Sequence, residues 1–208
     1  MDGSFFNLSL RIFNTLANEL YGKVVMNFLP GGIRMEKMQI RLAQSEDLPA
    51  IQAIIKAGAA YLRQQNIDQW QDPTVYQADS LLKDIEEKNA YLALIEEDVA
   101  GFFIARPIDR DYDNYSIWQC QGDYLAFHRV ALATKYRGQG LSRALFQAFE
   151  DLAYHLETND LRIDTHPDNL GMQKIILKAG YQYLGEIELA GSGRRYAYEK
   201  IIPIKKSS

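Results

Sequence analysis

The chain has 208 residues, 47% of them hydrophobic, with 13 tyrosines and a formal charge of −4. That length and apolar content suit one packed α/β domain with room for an appendage. The acidic balance argues against the basic face that nucleic-acid binding needs. A lone Cys120 excludes an internal disulfide or thiolate metal cluster, and no apolar run approaches the roughly 20 residues of a membrane span.

Residues 1–37 stand apart as an N-terminal extension. "MDGSFFNLSLRIFNTLANELYGKVVMNFLP" lacks the basic start and compact apolar core of a secretory signal, and one cysteine fits a reducing compartment, so a cytoplasmic location is expected. Phe6, Leu10, Phe13, Ala17 and Leu20 recur at helical spacing, which predicts a short amphipathic helix for a partner or membrane surface. The competing reading is a gene-model extension. Gly31-Gly32 stand shortly before Met35, as the codons of a translated bacterial ribosome-binding site would place them.

The domain is expected over 38–203, with 204–208 as a tail. "MQIRLAQ" alternates and reads as a strand, and Ser45 before Glu46-Asp47 reads as a helix N-cap. Leu48, Ile51, Ile55 and Leu62 mark one face of that helix to about Gln65. Asp72-Pro73-Thr74 restarts a helix ending near Lys88. "AYLALIE" and "VAGFFIA" flank Glu97-Asp98 as a strand hairpin. Residues 107–121 are polar, aromatic and irregular, a long loop of the kind that often carries function. "DYLAFHRVALA" is the next strand, and Leu141, Leu145, Phe149, Leu152 and Leu156 stripe the helix after it. "LRIDT" is a strand, "NLGMQKIILKA" a helix stopped by Gly180, and "YQYLGEIELA" with "RYAYEKI" a closing hairpin around "GSG". The order is β-α-α-β-β-β-α-β-α-β-β.

The chemistry concentrates in "KYRGQGLSRALF". A strand feeding glycines and then a helix N-terminus exposes unpaired amides at the positive end of the helix dipole, which makes an anion site. Gly138 and Gly140 let the backbone approach a ligand, and Arg137 adds a forked cation. A P-loop would need a Gly-Lys-Ser/Thr ending, which is missing. A dinucleotide turn would need glycine at 143, which is Arg143.

"RGQGLS" resembles the Arg/Gln-x-x-Gly-x-Gly/Ala pyrophosphate loop of the GNAT superfamily of N-acetyltransferases. "VALATKYRGQG" is similar to the family's strand-to-loop stretch. "NLGMQKIILKAGY" is similar to its later Asn-plus-Gly-Phe segment, with Asn169, Gly180 and Tyr181 in register. "QNIDQWQD" and "RIDTHPDN" further resemble a bacterial branch of mostly unassigned substrate. The resemblance implies a mixed, mostly antiparallel central sheet flanked by helices, and acetyl-CoA as cosubstrate with no metal. It also implies a tendency to dimerise. Val130 and Leu132 would pair with the pantetheine arm through their backbones. Arg137, Gly138, Gln139, Gly140, Leu141 and Ser142 would bind pyrophosphate, and Asn169 would fix the cofactor side of the later helix. Ser142 departs from the family's preferred Gly or Ala, and Ile176 stands where many members carry a tyrosine general acid.

The resemblance implies direct transfer of acetyl to a primary amine of a small molecule or peptide; the alternative is a non-catalytic acyl-CoA-binding module of the same fold. For aminolysis of a thioester the base matters more than the acid. Deprotonating an ammonium of pKa near 10.4 at pH 7 costs about 4–5 kcal/mol, against about 2 for expelling a thiolate of pKa near 8.5. His128, four residues before Leu132 and on the same strand face, is the leading base candidate. His166 in "DTHPDN" is the second, with a loop histidine beside a helix cap as its plainer role. Trp70, Tyr115 and Trp118, with the acids of the 107–123 stretch, are candidates for the acceptor side through charge and aromatic faces. The plainer role for these aromatics is to pack the loop down.

Overall fold

A computed structural model of the protein describes residues 24–26 and 38–203. The helix expected at Phe6–Leu20, the glycine pair before Met35 and the tail lie outside the described residues. β1 (Val24–Met26) falls within the segment set apart as an extension and pairs antiparallel with β2 (Met38–Leu42).

β2 buries Met38, Ile40 and Leu42 and exposes Gln39, the alternation that its sequence shows. The cap before the first helix is one residue earlier than expected. Ser45–Asp47 forms a 3₁₀ turn in which Asp47 accepts from the Gln44 N–H at 2.7 Å. Arg41 draws the same carboxylate in, with contacts of 2.7 and 2.8 Å, and holds it below its ordinary pKa. α1 (Leu48–Gln64) then buries Ile51, Ile55 and Leu62.

The helix expected from Asp72 to Lys88 is broken in two. Asp72 caps a 3₁₀ turn at Pro73–Tyr76, accepting from Thr74 N–H at 2.8 Å, and Gln77 is extended before α2 (Ala78–Glu86). The carbonyl of Tyr76 accepts from the Gln52 side chain at 2.9 Å, which satisfies it without a continuing helix.

β3 (Ala90–Ile95) and β4 (Asp98–Arg106) form the expected hairpin. The loop after them holds one helical turn, α3 (Arg110–Asp113), and delivers β5 (Tyr124–Leu132). There follow α4 (Leu141–His155), β6 (Asp160–Thr165), α5 (Leu170–Lys178), β7 (Gln182–Leu189) and β8 (Gly193–Ile201). One sheet runs β1-β2-β3-β4-β5-β6-β8-β7, antiparallel throughout except for β5 with β6. The sheet is therefore mixed and mostly antiparallel, as expected.

Helices cover both faces. On one, Phe127 stacks on Phe149 of α4 at 4.1 Å between centroids, with Phe146, Ile163 and Tyr198 around them. On the other, Ile51 and Ile55 of α1 and Leu81 and Ile85 of α2 pack on Leu92, Phe102 and Ile104. A third cluster under the 107–123 loop joins Tyr112, Trp118 and Tyr124 to Ile187 and Ala197. Burying each large side chain contributes roughly 1.5–3 kcal/mol, so sheet and helices are held on both sides before any site is considered.

Candidate active site

The site begins where two strands part. β5 and β6 are paired only from Tyr124↔Asp160 to Phe127↔Ile163, although β5 runs on to Leu132. Beyond Phe127 one edge of β5 has no strand beside it. Its other edge carries a bulge against β4: Ile104 faces His128 but Phe102 faces Ala131, one extra residue on β5. Arg129 absorbs the bulge at φ 50°, in the left-handed region. Its guanidinium is tied to α2, contacting Asp84 at 3.2 Å and donating to Ser80 Oγ at 2.8 Å. Asp84 is buried, and Arg106 contacts its other oxygen at 2.7 Å.

The glycine loop follows β5. Gly138 and Gly140 take φ of 76° and 79°, a conformation costly for any residue with a Cβ. A Cβ on either would meet nothing within 4 Å, so the space over the loop is open. Gly140 is the N-cap of α4 and supplies no side-chain cap, so that helix presents its first amides unpaired. A cavity of about 370 Å³ lies over this loop, lined by Val130, Leu132, Gly138, Gly140, Ser142 and Asn169 among others. Leu141 and Arg137 line it as well. Arg137 is held there, its Nε donating to Leu132 O at 3.2 Å and its guanidinium 5.1 Å from the Tyr61 ring centre. Gln139 does not line the cavity; its amide folds back to donate to Lys135 O at 2.7 Å. An open cradle of left-handed glycines, a helix start and one arginine fit the pyrophosphate of coenzyme A.

A second cavity, about 560 Å³, includes His128, Asp109, Asp164 and Arg195. His128 Nε2 is 2.8 Å from Asp109 Oδ2 and sealed from solvent, though its N–H is not aligned for a regular hydrogen bond. Burial raises the Asp109 carboxyl, but the His128 contact, the Asp111 amide and Arg106 outweigh it and leave its pKa below the ordinary value. Asp164 Oδ1 is 4.0 Å from His128 Nδ1 and accepts from the Tyr112 phenol at 2.6 Å; Asp164 Oδ2 is 3.4 Å from Arg195 Nε. Burial first, then the Asp164 charge, push the Tyr112 phenol well up, so it stays a donor.

The two cavities share Gln69, Trp70, Val130 and Met172. Asn169 caps α5, its Oδ1 accepting from Met172 N–H at 3.0 Å, and its Nδ2 donates to Gln69 Oε1 at 2.8 Å. It thereby ties the start of α5 to the loop carrying Trp70.

Other candidates sit elsewhere. His166 lies outside both linings, its Nδ1 accepting from the Asp168 N–H at 3.1 Å beside the α5 cap. Trp118 is buried in the third cluster, its indole N–H donating to Tyr112 O at 2.8 Å and its ring 4.6 Å from the Arg162 guanidinium. Tyr115 is spent on β7: its hydroxyl bonds Glu188 O and accepts from Glu188 N–H at 3.0 Å. Both aromatics pack the loop down and leave the acceptor cavity to others. Ile176 is fully buried in the core, while α5 presents Met172 and Ile175 to the cofactor cavity. Among the described residues no cluster of His, Cys, Asp or Glu is arranged to hold a metal ion, and no helix is long and apolar enough to cross a membrane.

Sequence reasoning missed Asp84, Arg106, Arg195 and Met172 as parts of this site. Only Asp84 left a trace, as an acid one residue before Ile85 on the apolar face of α2.

A sheet parted at the end of one parallel pair, with a glycine loop and helix start at the opening, agrees with the strand-to-loop arrangement that the acyltransferase resemblance implies. Residues 56–181 match the family model for the Acetyltransferase (GNAT) family. The chain belongs to that family and is an acyltransferase of the GNAT type. A curated Bacillus subtilis relative, described as the uncharacterized N-acetyltransferase YesJ, is 23% identical over 67% of this chain and 79% of its own length. A crystal structure of a GNAT-family acetyltransferase from Streptococcus agalactiae is 33% identical, with a TM-score of 0.71 over 80% of this chain and 96% of that one. At 17% identity the fold also matches YncA of Salmonella typhimurium, solved with its cofactor acetyl-CoA, with a TM-score of 0.58 over 82% of this chain and 97% of that one.

Proposed function

We propose that this chain moves an acetyl group from acetyl-CoA directly to a primary amine of a small molecule or peptide, with His128 as the general base. One observation carries the reading. A cavity over the glycine loop and a cavity around His128 meet at Val130, where the thioester would lie.

Gly138, Gly140, Leu141 and Ser142 would hold the pyrophosphate through backbone amides, with Arg137 as the cation, while the free edge of β5 at Val130 and Leu132 would pair with the pantetheine arm. His128 would take a proton from the acceptor ammonium, directly or through a water. With Nε2 sealed against Asp109, Nδ1 is the nitrogen left to meet it. The amine nitrogen then bonds to the carbonyl carbon, and the Val130 N–H stabilises the charge gathering on the carbonyl oxygen. That electron pair returns as the C–S bond breaks. The sulfur leaves with the bond's electrons and takes up a proton from water while the attacking nitrogen gives its second proton to water. Each turnover thus converts ammonium and thioester to amide, free thiol and one proton that leaves through His128. With Ile176 buried, no phenol at that position protonates the sulfur.

The charge of the acceptor cavity supports a cationic acceptor. Asp84 and Asp109 together offset Arg106 and Arg129, with Arg106 in contact with both carboxylates, and Arg195 lies against Asp164, which leaves the exposed Asp68, Asp72 and Asp111 facing the same space. A cytoplasmic location and a homodimer belong to the proposal too, resting on the lone cysteine and on the family resemblance. The test is free-thiol release from acetyl-CoA across a panel of amines, with acetyl-CoA affinity measured alongside. Amine-dependent thiol release, strongest with cationic acceptors, is expected. Tight acetyl-CoA binding without turnover on any amine would leave a binding module and overturn the proposal.

A further inference from the structure

Trp70 holds a costly backbone conformation at the junction of the two cavities. Its φ is 62°, in the left-handed region, where a bulky side chain costs on the order of 1–3 kcal/mol. The neighbours on each side impose it. Gln69 is buried and held through its side chain by Asn169 at 2.8 Å. Gln71 donates from one amide nitrogen to Ala59 O at 3.0 Å and to Gln69 O at 2.8 Å, and accepts from Arg63 Nε at 2.7 Å. The indole edge rests in a notch that α1 makes by carrying glycine at 58. A Cβ there would stand 2.8 Å from one ring carbon and 3.3 Å from the next.

So much local structure serves to hold one ring at one place, and that place is the junction of the two cavities. A group that passes from the cofactor side to the acceptor side meets the residues common to both linings, Val130 on β5 with Gln69, Trp70 and Met172. Met172 is unbranched and adaptable. Trp70 is fixed by strain, hydrogen-bonded neighbours and its seat on α1.

We propose that Trp70 is the wall that sets acyl-chain length, so that the junction admits acetyl and discriminates against longer straight chains. The inference rests on the acyl-transfer reading above and extends it from the acceptor to the donor. One methylene against a fixed apolar wall is typically worth 10- to 200-fold in kcat/KM. Wild type should therefore prefer acetyl-CoA to butyryl-CoA by at least that range.

The experiment measures kcat/KM for acetyl-, propionyl- and butyryl-CoA with one acceptor amine in wild type, Trp70→Leu and Gly58→Ala, with melting temperature recorded for each. Trp70→Leu should raise the butyryl-to-acetyl ratio by about tenfold or more. Gly58→Ala should move the ratio the other way. Its methyl displaces the ring toward the junction, while alanine suits the helix better than glycine. A Trp70→Leu protein with a wild-type melting temperature and an unchanged ratio would overturn the proposal. If Trp70→Leu does not fold, an unchanged ratio in Gly58→Ala would do the same. A wild-type protein that transfers no acyl group at all would sink the transfer reading itself, and would do so before any variant is made.

Discussion

The glycine loop and the His128 cavity are built in opposite ways. The loop is contiguous: six residues, 137–142, place backbone amides at a helix start, and left-handed φ at two glycines does the shaping. The cavity is assembled from side chains far apart in the chain. Asp109 comes from the loop after β4, His128 from β5, Asp164 from β6 and Arg195 from β8. Backbone sites tolerate side-chain change except at glycine, whereas side-chain sites depend on single atoms. The two should therefore fail differently when mutated.

The largest expected effect is on the cavity. His128→Ala should lower kcat by 10²- to 10⁴-fold, the usual worth of a positioned general base, and remove the base limb of the pH–rate profile. An unaltered profile would take His128 out of the chemistry. Next comes the loop. Gly140→Val places a β-branched residue at φ 79°; the unliganded loop should relax from that conformation, so that restoring it on binding costs about 1–2 kcal/mol and weakens acetyl-CoA affinity by about tenfold or more while stability falls little. Wild-type affinity by calorimetry would mean that the loop does not need that conformation.

The smallest effect probes the anchor of the 107–123 loop away from both sites. Arg162 lies between Trp118 and Tyr124, donates to Cys120 O at 3.0 Å and contacts Asp160 at 2.6 Å, while Glu199 accepts from the amides of Gln119 and Cys120. Burial pushes the Asp160 carboxyl up to about 6, with Arg162 opposing and the Glu199 charge assisting. This folded value lies above the unfolded value near 3.9. The stabilisation it brings is therefore complete below about pH 4 and is lost as pH rises through about 6. Asp160→Asn should flatten the dependence of Tm on pH across that window and leave acetyl-CoA affinity unchanged. A slope identical to wild type would contradict the assignment.

The same contrast explains what could be read from the amino-acid sequence. Strand alternation at 38–42, the apolar stripe of α4 and the glycines of the 137–142 loop are local signals, and they led to the element order from β2 onward, without the one turn of α3, and to the loop's geometry. The contact of Asp109 with His128 is not local, because it depends on how α3 turns the chain back over β5. Trp118 and Tyr115 invited an acceptor role because aromatic residues in an irregular segment look the same whether they face a ligand or a core. Burial of Trp118 beneath Arg162 is decided by β6, far along the chain. The break at Gln77 depended in the same way on Gln52 reaching across to Tyr76.

The separation of the two regions is tested most directly by calorimetric titration of acetyl-CoA into His128→Ala and Gly140→Val side by side. The expected result is wild-type affinity in the first and a loss of about tenfold or more in the second. Loss of affinity in both, or in His128→Ala alone, would contradict a cofactor site carried by the loop backbone and a chemical site carried by the cavity.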